Sequence, residues 1–206
     1  DGNLTYELLI ERYNSDLANT LGNLVNRTIS MAKKYFDGKV PVQGELNDID
    51  NDLINCINES VNNCKKNIDE LHVADALDNV IDIFRRSNKY IDETTPWTLA
   101  KEGNTERLQT VIYNLLEAIR IGAVLLNPFL TETSDKIFEQ LNTDIKEYDS
   151  VFKFGNLESG KELNNPEPLF VRLDKEKDIA AYGKVKGLQV QDGVKALFFI
   201  EGKFVS

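Results

Sequence analysis

The sequence predicts a mainly α protein, an antiparallel bundle of about five helices followed by a short C-terminal β-hairpin or extended tail. Apolar residues recur at spacings of three and four through most of the first 141 positions. Breakers fall between these stretches, at Asp37-Gly38 with Pro41, at Pro96 and at Pro128. After Asn142 the helical spacing stops and Pro-rich, then β-branched, segments take over.

The opening helix is read from Thr5 to about Phe36. At 100° per residue Ile10, Tyr13, Leu17, Leu21, Leu24, Met31 and Tyr35 fall near one line, with Ala18, Gly22, Val25 and Ile29 as a smaller-residue flank. Such a helix is central and largely buried. The strip left over carries Asn19, Asn23 and Arg27 at i, i+4 and i+8, with Arg12 further back. A second helix spans Glu45 to Glu70, its seam being Leu46, Ile49, Leu53, Ile57, Val61, Cys64, Ile68 and Leu71. A third runs from Val73 to Tyr90 with Ala76, Leu77, Val80, Ile83 and Phe84 inward. Arg85-Arg86 then sit near its C-terminal end, where they suit the helix dipole at least as well as a phosphate.

Thr94-Thr95-Pro96 reads as an exposed turn that presents Trp97, the one tryptophan of the chain. The fourth helix covers Thr105 to Leu126 and is densely apolar. The fifth covers Thr131 to Leu141, with Thr131 and Ser134 as caps and Ile137, Phe138 and Leu141 inward. Val151–Leu157 and Asn164–Leu173 read as loops that pack back onto the bundle. Lys184–Val190 and Lys195–Val205, joined by Gln191-Asp192-Gly193, read as the hairpin. The boundaries are therefore 1–175 for the helical domain and 176–206 for a tail of unassigned role.

Composition limits the function. With 206 residues, 41% apolar and 28% charged, the chain can bury a sizeable core. The longest apolar run, around Ile119–Leu130, is interrupted by Arg120, Asn127 and Pro128, so a membrane is not an expected partner, and with a net charge of −10 neither is DNA. The N-terminus has no basic and apolar leader and opens on Asp1 instead of Met, the pattern expected of a piece of a larger protein.

Cys56 and Cys64 lie about 12 Å apart along a helix axis, beyond the roughly 7 Å of a disulfide, and unpaired thiols fit a cytoplasmic location. One histidine, His72, and two cysteines give no metal-ligand set, and His72 reads as a helix-boundary residue. No Gly-rich phosphate loop and no nucleophile elbow are present, so no catalytic residue and no cofactor are assigned to this chain. A net charge of −10 opposes broad electrostatic binding of nucleic acid, so any RNA contact must be local and aimed at bases.

Asp16–Met31 (DLANTLGNLVNRTISM), Asn88–Lys101 (NKYIDETTPWTLAK) and Pro168–Asp174 (PLFVRLD) resemble, in this order and spacing, the anticodon-binding region of methionyl-tRNA synthetases over about residues 1–175. Asp1-Gly2-Asn3-Leu4-Thr5 is similar to the segment that leads from the catalytic domain of that family into its helical domain.

The resemblance implies a class I ligase that joins methionine to its tRNA with ATP and Mg, with zinc in the catalytic half. That half, which carries the HIGH-type and KMSKS-type signatures, is not in this sequence. The implied partners are the anticodon loop of methionine tRNA and the catalytic domain of the same polypeptide. By motif position Asn23 and Arg27 match residues that hydrogen-bond anticodon bases. Pro96-Trp97 matches the aromatic turn on which a base stacks, and Asn19 is a supporting neighbour. The chemistry agrees, since single-stranded RNA is read by splayed bases stacked on aromatics and bonded at their edges. Taken without the resemblance, Trp97 reads as packing and Arg27 as a surface ion-pair partner. The alternative function is a helical scaffold or protein-interaction domain without RNA binding.

Overall fold

The computed structural model describes residues 3–4, 6–174 and 188–189. Its helices are α1 (Tyr6–Arg12), a π segment (Tyr13–Gly22), α2 (Asn23–Tyr35), α3 (Asp48–Asp69), α4 (Val73–Thr94), α5 (Pro96–Lys101), α6 (Thr105–Leu126) and α7 (Thr131–Leu141). β1 (Asn3–Leu4) pairs antiparallel with β2 (Leu188–Gln189). Apart from Leu188–Gln189, the hairpin expected over Lys184–Val205 lies outside the described residues.

α6 is the axis of the bundle. Every residue from Thr110 to Leu126 is buried, and α2, α3, α4, α5 and α7 all pack on it. At 22 residues it is long and apolar enough to cross a bilayer, but here it is sheathed by the other helices. α4 runs antiparallel to α3, since Asn79 bonds Asn67 near one end while Tyr90 bonds Asp50 near the other.

Four expectations change. The first helix is continuous from Tyr6 to Tyr35, but its middle third is wound wider, with the Asn23 N–H bonded to Ala18 O five residues back. The 100° wheel therefore holds only outside Tyr13–Gly22. On α3 the seam narrows to Leu53, Ile57, Val61 and Cys64, because Leu46 and Leu71 fall outside the helix and, like Ile49 and Ile68 in its end turns, are exposed, Leu71 by 83%.

α4 continues one turn past Tyr90 to Thr94, so Arg85 and Arg86 lie mid-helix. They are ion-paired, Arg85 with Asp16 and Asp82 and Arg86 with Glu93, in place of the dipole role. On α7 neither expected cap forms. Thr131 Oγ1 bonds back to Asn127 O at 2.9 Å, and the Ser134 hydroxyl is buried without a partner.

The loops after α7 do pack back, and buried charge explains how. Glu117 and Arg120 on α6 form a two-point pair at 2.8 Å for each bond, both side chains fully buried. Glu117 then accepts the N–H groups of Gly155, Asn156 and Leu157 at 2.9–3.2 Å. Arg120 donates to Ser150 Oγ at 2.7 Å and to Ser150 O at 3.2 Å. One ion pair thus satisfies the backbone of a whole loop and lays Val151 and Leu157 on the core.

Candidate nucleic-acid interface

The two motifs arrive on neighbouring helices that run the same way. Arg85 on α4 bonds Asp16 at 2.9 Å, and Asn88, one turn on, donates to Thr20 O at 3.0 Å. Both members of the second pair are further along their helices, so α4 is parallel to the π segment and α2. Continuing from that pair, Thr95 and Arg27 each lie seven residues on, a climb of about 10 Å on both helices. α2 and α4 are in contact, which sets their axes about 8–10 Å apart.

At that height α4 ends. Thr95 takes a left-handed conformation (φ 41°, ψ 63°) while its N–H still completes the helix to Ile91 O at 2.9 Å. The chain turns there and restarts at once as α5, with Pro96 as an N-terminal helical residue. The expected exposed turn is thus a helix-to-helix corner. Thr94 and Pro96 are buried, and Trp97 is the group that emerges, 46% exposed. Pro96 aims the corner and offers no surface of its own.

Asn19, Asn23 and Arg27 are all exposed. Asn19 lies in the π segment and Asn23 opens α2, so a change of helical pitch falls inside the strip. Among the described residues none of Asn19, Asn23, Arg27 or Trp97 has a side-chain partner. Three asparagines beside them are engaged with the protein. Asn14 pairs through both amide ends with the backbone of Leu173 at 2.9 Å, Asn26 accepts from Ser30, and Asn88 bonds Thr20 O and Phe84 O. PLFVRLD therefore acts as a strap. It crosses the π segment, with Phe170 edge-on to Tyr13 at 5.8 Å.

A group the sequence left unremarked sits under the corner. Asp50, fully buried, accepts from Tyr90 Oη and from Arg107 Nη1 and Nη2 at 2.6 and 2.8 Å. Burial alone would raise its carboxyl pKa, but the bonds from Arg107, Tyr90 and the Asn47 N–H outweigh it and hold the group below its usual range. Asn47 and Asp50 form a capping box at the start of α3. The Asn-x-x-Asp spacing before an apolar run is the signal that marks it in the sequence.

The fold defines the class, an all-helical bundle domain. Residues 40–189 match the family described as the anticodon binding domain of methionyl tRNA ligase, and the chain belongs to that family. It is 43% identical over 192 residues to the methionine–tRNA ligase of Clostridium acetobutylicum, covering 93% of this chain and 30% of that protein. With the Bacillus subtilis ligase it shares 46% over 193 residues, 91% of this chain and 29% of the relative. Of solved structures, free methionyl-tRNA synthetase from Mycobacterium tuberculosis superposes with a TM-score of 0.76 at 31% identity, over 83% of this chain and 35% of that one. The same enzyme with methionyl-adenylate gives 0.77 at 32%, over 82% and 34%. The chain thus spans about a third of the length of its relatives. Membership favours the anticodon-binding function over the scaffold alternative.

Proposed function

We propose that Asn23, Arg27 and Trp97 read the CAU anticodon of methionine tRNA for a parent ligase that attaches methionine with ATP. The observation that carries this is the set of exposed, partner-free side chains on two adjoining helices, beside asparagines that are all bonded. Trp97 offers a face on which a splayed base stacks, a contact worth about 1–3 kcal/mol. Asn23 offers donor and acceptor to a base edge, and Arg27 a donor fork. Asn19 supports them one π turn back, and Pro96 acts by aiming Trp97.

The net charge of −10 fits readout of bases in place of a grip on phosphates. Bulk affinity then comes from the rest of the parent polypeptide, where the catalytic domain, ATP, Mg and zinc belong. Among the described residues no three His, Cys, Asp or Glu converge to hold a metal. Kinship with bacterial ligases supports a cytoplasmic setting.

The test is a titration of the 206-residue chain with two RNA hairpins, one carrying CAU in its loop and one with the triplet changed. The CAU hairpin should bind more tightly and alter Trp97 fluorescence. Equal binding of both by the chain, with no response from Trp97, would reject the proposal in favour of a scaffold.

A further inference from the structure

The corner that carries Trp97 is stapled on both sides to one carboxylate. Tyr90 lies seven residues before Trp97 and Arg107 ten residues after it, and both donate to Asp50. Each staple is passed inward by short bonds. On the near side Thr94 Oγ1 donates to Tyr90 O at 2.7 Å. On the far side the Arg107 N–H donates to Asn104 Oδ1 at 3.3 Å, and the Asn104 N–H bonds Leu99 O at 2.9 Å. Asn114 on α6 closes the ring, donating to Asp50 and to Tyr90 Oη at 3.3 and 3.2 Å, while Gln43 donates to Asn114 at 2.7 Å.

The corner needs such a constraint. Thr95 stands at φ 41°, a conformation that costs a residue with a Cβ and persists where its surroundings over-determine it. Trp97 is half exposed and has no polar partner of its own, so its direction follows from where the ends of α4 and α6 are held.

We propose that Asp50, Tyr90 and Arg107 form a positioning network that holds Trp97 in the orientation in which it stacks on a base. This rests on the stacking role given to Trp97 above, and it adds three residues that do not touch RNA. Asp50 acts by orienting Tyr90 and Arg107, not by charge toward the ligand, since its carboxylate is enclosed by their donors.

Trp97 is the only tryptophan, so its fluorescence reports the corner directly in the free chain. The variants are Tyr90→Phe, which removes one hydroxyl, and Arg107→Lys, which keeps the charge and loses the two-point geometry. Each is measured well below its melting temperature, with circular dichroism confirming the helices. Acrylamide quenching of Trp97 should rise in both, and affinity for the CAU hairpin should fall about tenfold, as for Trp97→Ala. Tyr90→Phe combined with Trp97→Ala should bind no worse than Trp97→Ala alone. A merely structural role would lower the melting temperature and leave quenching and affinity unchanged in the folded variants, and that result overturns the inference. Multiplying losses in the double variant overturn it as well. Full affinity in Trp97→Ala would instead sink the stacking role, and the network with it.

Discussion

The Phe84 ring occupies the space that a side chain on Gly122 would need. A Cβ built there lies 2.3 Å from Phe84 Cε1, and both residues are buried where α4 crosses α6. Glycine inside a helix costs about 1 kcal/mol relative to alanine, so its presence here reflects the close crossing. Gly122→Ala sets that gain against overpacking of about 1–3 kcal/mol. A ring enclosed on all sides cannot step aside, so the clash wins. We expect a net loss of up to about 2 kcal/mol, read as a fall of up to roughly 8 °C in melting temperature. Adding Phe84→Leu should recover part of it. An unchanged or raised melting temperature for Gly122→Ala would contradict this crossing.

Glu117 and Arg120 stabilise the loop after α7 in a way a surface pair cannot. Arg120→Met leaves Glu117 as an uncompensated buried carboxylate facing the N–H groups of Gly155, Asn156 and Leu157, a loss of about 3–5 kcal/mol. Urea unfolding at neutral pH measures it. Lys65→Met, which removes the partner of Asp69 in an exposed pair, should leave stability almost unchanged. Similar small effects for both would mean that Arg120 is reached by water.

Asp50 gives the fold a defined acid dependence. Its folded pKa lies below the unfolded value, so its contribution is fully present above about pH 4 and is lost as pH falls through the folded pKa. Asp50→Asn should therefore be clearly less stable than the parent at pH 7. The two should converge as the buffer is taken below about pH 4. Denaturant curves at both ends of that range decide it. A gap that persists undiminished in strong acid would assign the role of Asp50 to packing.

The cysteines differ in reach. Burial pushes the Cys64 thiol up to about 11, and it also raises Cys56, which is only partly buried. At pH 8 a thiol of that pKa is ionised in about one molecule in a thousand. Iodoacetamide should therefore modify Cys56 first and Cys64 only as α3 opens, with both reacting promptly in urea. Mass spectrometry of timed samples distinguishes the two, and equal native rates would contradict the burial of Cys64.

How far the sequence could be read follows from what sets each element. α6 and α7 end where the spacing says they do, Thr105–Leu126 and Thr131–Leu141, because Pro128 and the apolar density leave one solution. The π segment was not legible, since the apolar spacing through Tyr13–Gly22 does not mark wider winding, and its contacts with Phe170 and Leu173 come from over a hundred residues away. The burial of Glu117, Arg120 and Asp50 leaves no mark in the spacing, since the loop at Ser150–Leu157 encloses the first two and the side chains of Tyr90, Arg107 and Asn114 enclose the third. The grouping of Asn23, Arg27 and Trp97 into one proposed set came from family likeness. Their chemistry alone left packing and ion pairing open, and it took the bonds of Arg85 and Asn88 to bring the two helices side by side.

Those same bonds separate reading RNA from holding the helices together. Arg27 is exposed and has no partner among the described residues, whereas Arg85 joins Asp16 and Asp82. Arg27→Ala should leave the melting temperature within about 2 °C of the parent, as for a surface change of under about 0.5 kcal/mol. It should weaken binding of the CAU hairpin by about 10–100-fold, the loss of a charged hydrogen bond. Arg85→Ala should do the reverse, lowering stability by up to about 1 kcal/mol through half-exposed pairs and weakening binding only slightly. The discriminating quantity is the ratio of affinities for the CAU and altered hairpins. It should collapse toward one in Arg27→Ala and hold in Arg85→Ala, because a lost base contact removes preference while a lost helix contact weakens both hairpins alike. If Arg27→Ala weakens both equally, Arg27 is a phosphate contact, and readout at this end falls to Asn23 and Trp97.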